Sequence, residues 1–192
     1  MKKRNLIAGG LSMAALAVLS AGCTTTSGAS GDPAAQRQAI NAQADNALAR
    51  LYREARDAET LVKQSRGVLV FPNFVSAGFI VGGASGQGVL REGGKTVSYH
   101  RMSEGSVGLQ AGAQSQAVFI LFMTDDALSR FKASNGWTVG ADANVTLLTV
   151  GADASVTGRT AQQPVVGFVL TNSGIMGNLS LGGSRITPLN LQ

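Results

Sequence analysis

The sequence predicts an α+β fold that is mainly β: a small antiparallel, glycine-rich β-barrel core with about three helices packed on its outside. Three observations carry this expectation. Residues 67–192 break into short segments that either alternate in polarity or run apolar, the two signatures of strands. Many of the 25 glycines fall at the ends or inside those segments, where sheets bend. Residues 33–66 carry a 3.6-residue apolar period instead, so helices precede the strands.

The segment Gly67–Leu90 anchors the β half. Gly67-Val68-Leu69-Val70-Phe71 is too apolar for a half-exposed strand and stops at Pro72-Asn73, which reads as a buried strand closed by a turn. After Phe79-Ile80-Val81, glycines at 82, 83, 86 and 88 interrupt the run before Val89-Leu90. Glycine weakens a flat strand, so this density implies curvature, a bulge or a close backbone approach. A phosphate cradle is the sharper reading, but no Lys-Ser/Thr follows and no GxGxxG register fits. Gly78, Gly82 and Gly86 also space as GxxxGxxxG, yet the apolar run is far short of the roughly 20 residues of a membrane span.

The chain opens Met1-Lys2-Lys3-Arg4, runs apolar from Leu6 to Leu19 and reaches Ser20-Ala21-Gly22-Cys23. A basic start, an apolar middle and small residues at a cut site read as a secretory signal peptide over residues 1–22. The only cysteine follows directly, and the arrangement resembles the lipobox of bacterial lipoproteins, which implies an acylated Cys23 as lipid anchor. By residue type alone, a free thiol or an intermolecular disulfide also remains open. In that family pattern Thr24, rather than aspartate, after the cysteine implies the outer membrane, on its periplasmic or surface-exposed side. Two or more acyl chains hold a protein stably where one does not. Removing Lys2, Lys3 and Arg4 leaves 13 basic residues against 11 acidic ones, a net charge of +2 instead of +5. That excess is too small for nucleic-acid binding.

Residues 23–32 form a small polar tether, and residues 33–192 a single domain of ordinary size. Asp32-Pro33 reads as a helix start. Ile40, Ala44, Leu48, Leu51 and Ala55 then fall on one apolar stripe, with Arg50, Arg53 and Arg56 on the opposite arc. Glu54 and Asp57 are spaced to pair back to Arg50 and Arg53. A second helical piece is expected over about 58–65, capped by Asp57. As a structural feature the arginine arc is a solvated helix face; as a functional one, Arg50, Arg53, Arg56, Lys63 and Arg66 gather anionic lipid head groups.

Beyond Leu90, Glu92-Gly93-Gly94-Lys95 reads as a hairpin tip and residues 96–100 as a strand. Residues 106–115 alternate cleanly, and Ala117–Met123 is apolar throughout, hence a strand covered on both faces. Thr124-Asp125-Asp126 caps a short helix near 124–134 that presents Leu128 and Phe131 inward. Val139–Val145 recurs as Val150–Val156, which predicts two strands sharing one wet face. Strands follow at 165–170, 175–181 and 185–189. A lipid-embedded barrel is disfavoured by strand length and by the scarcity of aromatics.

Chemistry-bearing residues are sparse. His100 is the only histidine and reads as solvated near a strand end. With Cys23 assigned to acylation there is no Cys/His pair or cluster, so no metal or other cofactor is expected. Asp142 and Asp153 are equivalent in the repeat, but a carboxylate pair needs a pocket, and their wet-face positions argue against one. No catalytic residue is expected and the chain reads as a non-enzyme.

Several colinear motifs resemble the SYLF domain of bacterial lipoproteins and eukaryotic membrane-traffic proteins. They are Gly67-Val68-Leu69-Val70-Phe71-Pro72-Asn73, Ala77–Gly83, Gly105–Gln114, Phe122–Leu128 and Gly174–Thr187, spanning about residues 40–190. The resemblance implies binding of phosphoinositide or other anionic phospholipid head groups and, in some eukaryotic relatives, of actin. The resulting expectation is an outer-membrane-anchored lipoprotein whose domain binds such head groups weakly and without catalysis. The alternative is a structural or scaffold envelope protein that binds another protein through its β domain.

Overall fold

The computed structural model describes residues 32–78, 81–107, 112–147, 163–171, 174–175 and 181–191. The expected signal peptide, Cys23 and the tether up to residue 31 lie outside the described residues, as do Asp153 and the second copy of the repeat.

Helix α1 (Pro33–Glu54) begins where Asp32 accepts a hydrogen bond from the Ala34 N–H at 2.9 Å, with Pro33 in the first turn. Its apolar stripe is the buried one: Ile40, Ala44, Ala47, Leu48 and Leu51. Burying each of the three large side chains contributes about 1.5–3 kcal/mol. At Ala55 the backbone turns extended (φ −134°, ψ 93°), and α2 (Arg56–Gln64) follows directly. Ala55, not Asp57, therefore holds the N-cap position, and α2 starts two residues earlier than the periodicity predicts. Asp57 and Glu59 sit in its first turn, where the helix dipole favours acids.

Strands β1 (Gly67–Gly78), β2 (Val81–Glu92), β3 (Lys95–Val107), β4 (Gly112–Phe122), β5 (Trp137–Thr138), β6 (Thr146–Leu147), β7 (Val165–Thr171), β8 (Gly174–Ile175) and β9 (Arg185–Pro188) make one sheet. Its order is β5-β9-β3-β2-β1-β4-β7-β6, with β8 beside β7. All pairs are antiparallel except β6 with β7. The sheet curls into a half-barrel, and with three helices among the described residues the class is the expected mainly-β α+β. In β1–β4 the chain runs through three hairpin neighbours and then returns beside the first, the Greek-key order.

Both faces of the sheet centre are dry. Val68, Val70, Val89, Phe119, Leu121 and Phe168 pack with α1 and α2. Leu69, Phe71, Phe74, Leu90, Ile120 and Phe122 pack on the other face with Leu128 and Phe131 of α3 (Asp125–Ala133) and with Trp137. The apolar run 117–122 is thus buried on alternate sides, as its composition predicts, and Thr124 caps α3 through a bond from the Ala127 N–H at 3.2 Å.

Four local expectations are corrected. Pro72-Asn73 is not a turn: β1 continues through it, and its register shifts against both β2 and β4 between residues 70 and 75. Proline has no N–H for a central ladder, so the strand bulges there. The bulge resets the alternation, placing Phe71 and Phe74 on the same face. The alternating stretch 106–115 is shared between the end of β3 and the start of β4, which lie three places apart in the sheet. The first copy of the repeat is a turn, not a strand: the Asp142 carboxylate accepts from the Thr138 N–H at 2.6 Å, and Gly140 has φ +89°. His100 is buried mid-strand rather than solvated.

Candidate binding site

The β2–β3 hairpin turns on Gly93 (φ +55°) and Gly94 (φ +81°), two consecutive left-handed residues that suit glycine. This tip, the start of β1, the second half of α1 and the end of α2 enclose a groove of about 490 Å³. Leu48, Ala49 and Tyr52 of α1 and Val62 of α2 give it an apolar wall. Lys63, Arg91 and Asp45 are its charged members.

Arg91 is the most deeply built of these. Its side chain is 11% exposed, and Nη1 meets Asp45 Oδ1 at 2.5 Å. Nη2 donates to the Asn41 carbonyl at 3.2 Å, and Asn41 in turn donates to the Tyr99 hydroxyl at 2.8 Å. The third donor, Nε, is buried without an acceptor among the described residues. Burial, and then the charge of Glu59, push the Tyr52 hydroxyl above its ordinary range, with Lys63 and Arg91 pulling the other way. The hydrogen bond with Glu59, and then that carboxylate's charge, hold the Lys63 ammonium above its ordinary range.

The residues expected to gather head groups have different surroundings. Arg50 bonds Glu54 at 3.1 Å and donates to the Thr171 carbonyl at the end of β7, so it ties α1 to the sheet. Lys63 pairs with Glu59 at 2.7 Å, and Arg66 with Asp125 of α3 at 3.4 Å. Arg53 is exposed in the last turn of α1. Arg56 opens α2, and its side chain lies outside the described residues. Of the four whose side chains are described, only Lys63 lines the groove. Arg91, Asp45 and Tyr52 escape sequence reasoning because only tertiary packing brings them there. The available signal was a charge directly after an apolar residue that is buried, Asp45 after Ala44 and Arg91 after Leu90.

Among the described residues no cluster of three His, Cys, Asp or Glu side chains is placed to hold a metal, and no helix is long and apolar enough to cross a membrane.

Residues 103–190 match the family model described as Ysc84, the Las17-binding protein actin regulators. These residues belong to a SYLF domain. The match runs from the middle of β3 past the end of β9, so the SYLF motifs expected at Gly105–Gln114, Phe122–Leu128 and Gly174–Thr187 fall within it. The groove and the five basic residues lie on the N-terminal side of the matched SYLF stretch. No curated protein matches the chain.

Proposed function

We propose that this SYLF-domain chain is a lipoprotein, anchored to the outer membrane through an acylated Cys23, whose domain binds anionic phospholipid or phosphoinositide head groups weakly and without catalysis. The observation that carries the head-group reading is the exposure of the cations in the α1–α2 region. Arg53 is exposed, and the side chains of Lys63 and Arg66 are 73% and 58% exposed. A basic side chain near an anionic membrane contributes about 1 kcal/mol, and the effect fades within a Debye length. Lys63 and Arg66 share their charge with Glu59 and Asp125, so the sum is small and salt-sensitive. An anchor that already holds the domain at the membrane makes such weak contacts effective.

Co-sedimentation of the unacylated protein (Cys23→Ser) with vesicles tests this reading. Vesicles containing anionic lipid are expected to retain the protein at low salt and release it at high salt. Equal retention on neutral vesicles, or none on either, rejects it.

A second reading is favoured by the family description, which names protein binding: a scaffold that holds another envelope protein through the matched β domain. A stoichiometric partner captured without lipid dependence supports that alternative.

A further inference from the structure

We propose that Asn135-Gly136, in the bend between α3 and β5, is a self-modifying site where the asparagine amide passes through a succinimide to aspartate and isoaspartate, assisted by Arg185. This site shares no residue with the head-group cations and stands independently of them.

Asn135-Gly136 is the only Asn-Gly pair in the chain. The second residue matters because its backbone nitrogen attacks the asparagine side chain, and a Cβ there would crowd the approach. Other exposed asparagines are placed differently. Asn46 lies within α1, Asn144 precedes the β-branched Val145, and Asn73 precedes Phe74 and donates its amide to Gln43 at 3.0 Å. Asn135 is exposed, and its side-chain amide makes no hydrogen bond among the described residues. The Gly136 N–H is likewise without a hydrogen bond among the described residues. By contrast, the N–H groups of Ser134 and Val139 on either side donate to the Phe131 and Ser184 carbonyls.

The fold then adds a cation. A Cβ on Gly136 would collide with Arg185 Nη2 and lie 2.9 Å from Cζ, so the guanidinium rests against the Gly136 Cα. Pairing of β5 with β9, Thr138 opposite Arg185, brings the two together. No carboxylate pairs with Arg185 among the described residues, so its charge is uncommitted. As the Gly136 nitrogen bonds to Asn135 Cγ it gives its proton to hydroxide, and the amide oxygen takes on negative charge. A cation resting on the atom next to that nitrogen stabilises this intermediate. Nδ2 then takes a proton from water and leaves as ammonia, which closes the succinimide and regenerates hydroxide. Water opens the ring at either carbonyl, so that one water is consumed and one ammonia released overall. The isoaspartate product lengthens the main chain by one atom two residues before Trp137. That ring is the only tryptophan and packs 5.6 Å from Phe131 and 6.1 Å from Phe122, so its fluorescence reports the change.

Incubating the purified full-length protein in mildly alkaline buffer tests this, with the Asn135 peptide followed by mass spectrometry. Conversion of the amide to the acid is expected about tenfold faster at Asn135 than at Asn73 or Asn144. An isoaspartyl methyltransferase should accept part of the product, with Trp137 emission shifting in parallel. Asn135→Gln should abolish both signals. Arg185→Gln is expected to slow the reaction several-fold, and Arg185→Lys, which keeps the charge, to restore most of the rate. Should Arg185→Gln fail to fold, high salt on the native chain serves in its place, with a similar slowing expected from screening. A folded protein that stays unmodified while a synthetic peptide of residues 130–140 reacts overturns the proposal, because the fold then protects the site. Equal rates in Arg185→Gln and the native chain, or no effect of salt, overturn the assistance by Arg185.

Discussion

Gly88 of β2 leaves open the space that the ring of Phe71 fills on β1. A Cβ at position 88 would collide with the Val70 carbonyl and with Phe71 Cδ1, and would lie 2.8 Å from Phe71 Cε1. The neighbouring Gly86 faces the same bulge, where a Cβ would come within 2.7 Å of the Asn73 carbonyl. Gly88→Ala is therefore expected to cost about 1–3 kcal/mol through overpacking. Gly105→Ala, which meets nothing within 4 Å, should be nearly neutral. Urea unfolding of the two variants checks this. Equal midpoints would show that the close approach of β1 and β2 is not what the glycines serve.

His100 is the natural source of an acid-sensitive stability. Its ring lies 4.9 Å from that of Phe131, Nε2 is 2.8 Å from Ser98 Oγ, and Nδ1 is buried without a partner among the described residues. Burial pushes its pKa down to about 4. Between there and the ordinary value near 6.5 the unfolded chain binds a proton that the folded chain does not, so stability rises with pH. The contribution is complete above about pH 7, falls as pH drops through 6.5 and levels off below 4, a loss on the order of 3 kcal/mol. His100→Leu should flatten the part of the curve between pH 6.5 and 5, where few carboxylates titrate. An unchanged slope there would contradict the burial of this ring.

Arg50 and Arg53 occupy one helix end but should behave differently. Arg50→Ala removes both the Glu54 pair and the bond to the Thr171 carbonyl, at a cost of about 1 kcal/mol given its partial exposure. Arg53→Ala should leave the melting temperature within a degree or two and weaken retention on anionic vesicles. Measuring both properties on both variants separates a structural arginine from a membrane-facing one.

For the anchor, Cys23→Ser is expected to move the protein from the membrane to the soluble fraction. Mass spectrometry of the native N-terminal peptide should show an acylated Cys23. An unmodified thiol there rules out the lipoprotein reading.

Much of the fold was legible because it is written in local periodicity. The stripe Ile40–Leu51, the doubly buried run 117–122, the Gly93-Gly94 turn and the Thr124 cap each depend on neighbours close in sequence. The Pro72-Asn73 bulge was read as a turn because both begin with a residue that cannot continue a ladder. Only the partner strands reveal that β1 resumes. The repeat around Asp142 differs for a related reason: alternation shared by two copies describes polarity, while the Asp142 carboxylate on the Thr138 N–H, together with backbone bonds from Ala141 and Asp142 to the Thr138 carbonyl, closes the first copy into a turn.

Short-range polarity patterns were enough for the mainly-β α+β class, for two helices ahead of the β half with a third near 124–134, and for the SYLF resemblance, because they dictate which segments can bury which faces. Only the tertiary structure decided that Arg91, Asp45 and Lys63 meet at one groove while Arg50 and Arg66 are engaged elsewhere. Residues 45 and 91 are 46 positions apart. Their ion pair exists because α1 lies across β2, a consequence of packing that local periodicity does not encode.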